Sequence, residues 1–248
     1  MMRSRLAIWS LLVLAFNLNV SRADGESVTV QAGRYPLFST AESPAKGHTF
    51  EATLAKKMGE QLRRPVSMRD ALVGKASDAS PSDATVLMGE TAGVVYFESA
   101  ISALSPAESG PSNWHALTGQ QVCLTRQSPY ASILVQRFGV VPRFYPSTAH
   151  ALIGLKLGEC AAVAAEDVLL SQLADLPEWV RYNRRIDPVA GYRFTQAFHV
   201  SDPTVRNDVA DAVAALDASG ELKRHAQFWI DEVAFEAYVL ADTLDCPS

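Results

Sequence analysis

Residues 119–173 read GQQVCLTRQSPYASILVQRFGVVPRFYPSTAHALIGLKLGECAAVAAEDVLLSQL, and this stretch decides the fold. Three short apolar runs, Val122–Leu124, Arg143–Tyr145 and Ala161–Ala165, alternate with two segments of helical spacing. That alternation predicts a β-α-β-α-β unit built on a parallel sheet. Parallel strands leave their following loops at one shared edge, and ligands of such sheets bind there. Here the edge carries Thr125-Arg126-Gln127-Ser128 after the first strand and Glu166-Asp167 after the third. A cation, a helix N-cap and an acid are thus expected to face one crevice.

Outward from this unit the same alternation recurs. Ser27–Ala32 alternates like a strand and runs into the turn Gly33-Arg34-Tyr35-Pro36. Phe50, Leu54, Met58 and Leu62 have helical spacing and stop before Pro65. Residues 74–84 read as loop, Thr85–Met88 as a buried strand, and Val94–Phe97 and Ile101–Leu104 as two more strands. Ser105–Ser112, with Pro106, Gly110 and Pro111, reads as a linker. Beyond the central unit, Trp179–Tyr182 and Tyr192–Val200 are strand candidates. Asp202-Pro203 then opens a helix with Val205, Val209, Val213 and Leu216 on one face, ended by Gly220. Leu222–Ile230 and Val233–Leu244 are two further helical segments. A βα pattern used twice and split by a linker predicts an α/β protein of two lobes with a cleft between them.

The bulk properties place the chain. Arg3 and Arg5 precede the uncharged apolar run Leu6–Phe16, and Ser21-Arg22-Ala23 offers small residues at a cleavage site. A run of eleven residues is too short to span a bilayer, which needs about 20, so 1–23 is expected to be a removable export leader rather than a retained anchor. Cleavage after Ala23 would take three bases and no acid, moving the net charge from −5 to −8. An acidic exported chain is a poor partner for nucleic acid or anionic membranes. Export gives the cysteines meaning. Cys123 lies in the first strand of the unit and Cys160 opens the third. In a 2-1-3 strand order these are neighbours, so the two sulfurs are expected either to bond or to remain buried thiols. Cys246 has no evident partner, and no Cys/His spacing suggests a metal.

Five segments carry a resemblance: Tyr35-Pro36-Leu37-Phe38, the helix Thr49–Gly59, Leu117–Leu124 with Ser128 and Tyr130, Gly154–Glu166, and Asp202–Trp229. In this order they resemble the bacterial extracellular solute-binding proteins of family 3, the periplasmic polar amino-acid-binding type. The resemblance implies a type II, hinge-closing architecture. Its expected divisions are lobe 1 from 24–112, lobe 2 from 113–192, and a return strand with C-terminal helices over 193–248 packing on lobe 1. It also implies capture of a small polar solute, amino-acid-like or a small organic anion, for an ABC transporter permease in the periplasm. The chain departs from the family pattern where a carboxylate-binding arginine belongs. Thr91-Ala92-Gly93 is followed by Val94, no Lys or Arg occurs from 76 to 125, and the first lobe looks shortened between Met68 and Asn113.

The candidate ligand-binding residues are therefore Arg126, Ser128, Glu166, Asp167, Tyr35 and Phe38. Arg126 at a strand-to-helix turn, with Ser128 as N-cap and Pro129 at N1, suits a carboxylate or phosphate. Otherwise it is a solvated surface arginine. Glu166 falls where the family places its amino-group acid, and it or Asp167 alternatively caps the helix expected from Val168. Tyr35 and Phe38 either cover the ligand or pack in the core or hinge. His48, His115, His150, His199 and His225 are scattered, and Ser128 lacks the context of a nucleophile elbow. No catalytic group, cofactor or metal is expected, and the protein is expected to act as a monomeric binder rather than an enzyme. The alternatives are a degenerate binding fold serving as a sensor or interaction partner without transport, and a dehydratase-like enzyme on the same scaffold.

Overall fold

The computed structural model describes residues 27–33, 36–40, 49–69, 84–89 and 92–244. The expected leader, Tyr35, His48, Thr91, Cys246 and nearly all of the 74–84 loop lie outside them. In chain order the elements are β1 (Val28–Gln31), α1 (Phe50–Leu62), β2 (Val66–Arg69), β3 (Ala84–Gly89), β4 (Val94–Ser99) and β5 (Ile101–Ser105). There follow β6 (Gln121–Thr125), α2 (Ala131–Phe138), β7 (Val141–Tyr145), α3 (Thr148–Lys156), β8 (Ala162–Glu166) and α4 (Asp167–Ala174). The chain closes with β9 (Arg184–Ile186), β10 (Phe194–Val200), α5 (Pro203–Ala218) and α6 (Glu221–Leu244).

The strands form two five-stranded sheets, β2-β1-β3-β10-β4 and β7-β6-β8-β5-β9, one per lobe. The stretch 119–173 builds the centre of the second. There β6 pairs parallel with both β7 and β8, the 2-1-3 order read from the sequence. Val122, Cys123 and Leu124 of β6 are fully buried, as are Ala162 and Val163 of β8. Central strands covered on both faces need such continuous apolar runs. Cys123 and Cys160 are joined in a disulfide with a Cα–Cα distance of 5.7 Å. In the first sheet β1 pairs parallel with β2 and β3, and β10 returns antiparallel between β3 and β4.

Several expectations are corrected. β5 already belongs to the second sheet, so the chain crosses between lobes at Ala100, not after residue 112. Ser105–Ser112 is a packed turn of the second lobe. Ser105 Oγ donates to the Pro111 carbonyl (2.7 Å), and a methyl group at Gly110 would strike Ser105 Oγ and the Pro106 carbonyl oxygen. Proline and glycine mark a turn without saying which sheets it joins. Trp179–Tyr182 is part of a 3-10 turn, Pro177–Tyr182, that starts on its proline and buries Trp179. The strand follows it, as β9.

The two C-terminal helical segments are one 24-residue helix, α6, unbroken at Asp231-Glu232. It does not pack on lobe 1 alone. Lys57 of α1 pairs with Glu221 (2.8 Å), and Trp229 Nε1 donates to Thr53 Oγ1 (3.3 Å), both in the first lobe. Gln227 Nε2 donates to Gln172 Oε1 of α4 in the second lobe (2.7 Å), and the helix runs along α3 there.

Candidate functional site

The C-terminal ends of β6, β7 and β8 bring Thr125, Tyr145 and Glu166 to one edge of the second lobe. Glu166 is the last residue of β8 and only 7% exposed. Burial pushes its carboxyl from the ordinary range up to about 7, partly offset by a backbone hydrogen bond. Tyr130 stands beside it. Its hydroxyl donates to the Ala164 carbonyl (3.4 Å), and burial, then the nearby Glu166 charge, raise the phenol well above its usual value.

Neither acid caps α4 through its side chain, and the helix begins at Asp167, one residue early. The cap comes from the lobe crossing instead. Asp167 N–H donates to the Ala100 carbonyl (2.8 Å) and Val168 N–H to Ser99 Oγ (3.4 Å). Asp167 is engaged by Arg185 of β9 at 3.0 Å. Of the two adjacent acids, Glu166 is thus the one held buried at the strand end.

Arg126 lies in the exposed turn after β6, anchored by its backbone N–H to the Tyr145 carbonyl (2.9 Å). Ser128 is not an N-cap. Ser128 N–H closes a turn on the Thr125 carbonyl (3.0 Å), a second turn follows, and α2 starts only at Ala131 with no side-chain cap at Tyr130. The Ser128 hydroxyl is left buried beside the Tyr130 side chain, without a well-aligned partner among the described residues.

In the first lobe Phe38 is inside the core. It is 2% exposed and stands edge-on to Phe50 (5.6 Å) and Phe97 (5.4 Å), with a left-handed φ of 47°. Tyr35 falls outside the described residues. Two polar groups missed from the sequence lie close to this core. Glu51, 4% exposed in the first turn of α1, accepts from Leu37 N–H at 2.7 Å, and burial carries its carboxyl to about 7. Gln196 of β10 accepts from the Tyr96 hydroxyl (3.2 Å), while its buried Nε2 has no acceptor among the described residues. A helix-start acid normally faces water and complements the dipole, so nothing local to Glu51 signals its enclosure. The first lobe also ends β2 on Arg69, level with Gln31 at its strand-end edge.

The two lobes touch along these edges. Thr148 N–H, first in α3, donates to the Ser39 carbonyl of the first lobe (3.1 Å), and Tyr130 stands edge-on to Phe194 of β10 at 6.3 Å. Open hollows lie elsewhere, on outer faces of the first lobe. One of them, of about 410 Å³, runs between β4 and α5 beside Phe97 and Val213. These are shallow grooves; the strand-end edges hold the enclosed acids Glu51 and Glu166 and the Gln196 Nε2, which has no acceptor among the described residues. Among the described residues no three His, Cys, Asp or Glu side chains converge as a metal site requires.

Neither a protein-family model nor a curated protein sequence matches this chain. Solved structures do. An ancestral arginine-binding protein bound to arginine superposes with a TM-score of 0.57 at 15% identity, over 83% of this chain and 99% of that one. The L-cystine solute receptor of Neisseria gonorrhoeae, unliganded and open, gives 0.54 at 14% identity, over 83% and 93%. The BvgS VFT2 domain of Bordetella pertussis gives 0.57 at 13% identity, over 84% and 94%. Identities this low speak to the fold and not to the ligand. The chain therefore has the two-lobed α/β fold of the periplasmic solute-binding proteins.

Proposed function

We propose that the protein captures a small polar solute between the strand-end edges of its lobes, as a monomeric periplasmic binder that serves a transporter permease. The observation that carries this reading is Glu166, a buried carboxyl at the end of a central parallel strand. An ammonium or guanidinium group beside it would restore the charge that burial suppresses, and the Tyr130 ring adds an aromatic wall. Arg126 from the second lobe, with Arg69 as a first-lobe counterpart, would take an anionic end of the same solute. Structural neighbours that bind arginine and cystine support an amino-acid-like ligand. Closure of the lobes on the solute would be the signal to the permease, so the chain does no chemistry.

Calorimetry against amino acids, polyamines and small organic acids tests this. Saturable binding is expected, weakened more than tenfold by Glu166→Gln for an amine and by Arg126→Ala for an anion. A flat titration across all three classes rejects solute capture. The second reading, an interaction protein without transport, is favoured by Val94 standing where the family's arginine belongs and by a terminal helix that touches both lobes. A flat titration together with a co-purifying partner would support it.

A further inference from the structure

The helix α3, Thr148–Lys156, is apolar almost all round. Thr148, Ala149, Ala151, Leu152, Ile153, Gly154 and Leu155 are all buried. A helix that is hydrophobic on every side needs cover on every side. The sheet of the second lobe takes one face, against β6, β7 and β8, and α6 takes another. Yet α6 is joined through Gly220 to α5 of the first lobe, and its N-terminal half is fixed there by the Lys57–Glu221 pair and the Trp229–Thr53 hydrogen bond. His225 of the same half approaches the Phe50 carbonyl at 3.0 Å. Beyond Ile230 the buried stripe continues through Val233 and Ala237, with Leu240 partly buried, and Glu236 lies 4.0 Å from His150 of α3. One continuous helix of 24 residues, about 36 Å at 1.5 Å per residue, is thus seated on both lobes.

We propose that α6 is an interlobe strap: its half from Asp231 onward holds the second lobe against the first, and the lobes part only when that half leaves α3. A rigid helix seated on two bodies cannot follow both when they rotate apart. The N-terminal half is held by directional bonds and by the chain itself. On the second lobe, α6 is held by the Gln227–Gln172 hydrogen bond and, from Asp231 onward, chiefly by apolar contact with α3, so it is this C-terminal half that carries most of the second-lobe hold and lets go. Opening of the cleft is thereby coupled to release of a helical segment at the far end of the chain. This goes beyond solute capture and does not depend on it.

The Thr148 amide reports on the contact directly. As the first residue of α3 it has no acceptor within its own helix, and its bond goes to Ser39 across the cleft. Amide exchange is followed by NMR on the solute-free protein, alongside small-angle scattering, for the intact chain and for a chain ending at Ile230. In the shortened chain the Thr148 amide is expected to exchange at least tenfold faster and the radius of gyration to rise, while Cys123 and Leu124 in β6 keep their protection. Unchanged Thr148 exchange overturns the proposal, and so does faster exchange without expansion, which would mean only that α3 has frayed. If shortening also strips protection from β6, the double variant Val233→Ser with Ala237→Ser in the full-length chain decides by the same two readings. A failed solute titration would reject the binding reading and leave this result untouched.

Discussion

Glu51 and Glu166 are buried carboxyls, one in each lobe, both carried by desolvation to about 7. An acid whose folded pKa lies above its unfolded value binds more protons in the native state between the two. The sign follows: the stability these groups contribute is fully present below about 4.5, the ordinary carboxylate value, and is lost as pH rises toward and through about 7, where the buried groups must ionise. Scanning calorimetry should therefore record a melting temperature that falls from pH 5 to pH 8. Glu166→Gln and Glu51→Gln should each remove part of that slope, and the double variant most of it; a Glu166→Gln slope equal to that of the parent chain would sink this account. Glu166 was legible in the sequence because a strand end followed by an acid is a recognisable pattern. Its enclosure was not, nor was that of Glu51, because desolvation is supplied by residues distant in the chain. Ser128 misled for a related reason. Ser-Pro before an apolar run satisfies the local rules for a helix start, but two successive turns push the start to Ala131.

At the scale of elements, β6, β7 and β8 were readable because apolar runs alternating with helical spacing admit few topologies, and a 2-1-3 order makes the strands of Cys123 and Cys160 neighbours. The short strands β2 and β9 were not readable. Val66–Arg69 and Arg184–Ile186 carry too few apolar residues to show a period, and they exist because β1 and β5 offer them an edge. The disulfide closes a loop with a sequence separation of 37. In the chain-entropy model a loop of that length contributes about 4 kcal/mol by limiting the unfolded chain. Cys160→Ser is accordingly expected to lower the unfolding free energy by roughly 3–4 kcal/mol in urea titrations. A loss below about 1 kcal/mol would show that the unfolded chain is already compact there. Gly154 belongs to the same neighbourhood. A methyl group there would collide with the Tyr145 phenol and with Cys123 Sγ, so α3 lies close on the disulfide. The single helix α6 escaped the sequence reading because Asp231-Glu232 interrupts the apolar stripe, although both residues face solvent and leave the buried side continuous.

For the whole molecule, two lobes followed from the repeated βα pattern, while the crossing point did not. One residue, Ala100, separates β4 of one sheet from β5 of the other, and it also receives the first amide of α4. The second sheet is drawn entirely from residues 101–186, whereas the first needs β10, which lies between β3 and β4. That asymmetry dictates an order of assembly. As the chain emerges from its N-terminus, β3 and β4 have no strand between them until about a hundred later residues have arrived, so the lobe that begins first is finished last. The second lobe holds its own sheet and its own cross-link and can fold while the first still waits, lacking only the cover that α6 later lays over α3. A fragment of residues 100–192 should therefore give the dispersed amide spectrum of a folded protein, and a fragment ending at residue 192 that begins at residue 24 should show only that same set of folded signals. Dispersed signals from β1 or β3 in the longer fragment would contradict this order. The return strand is in effect the closing stitch of the molecule, placed where nothing upstream of it can be secured early.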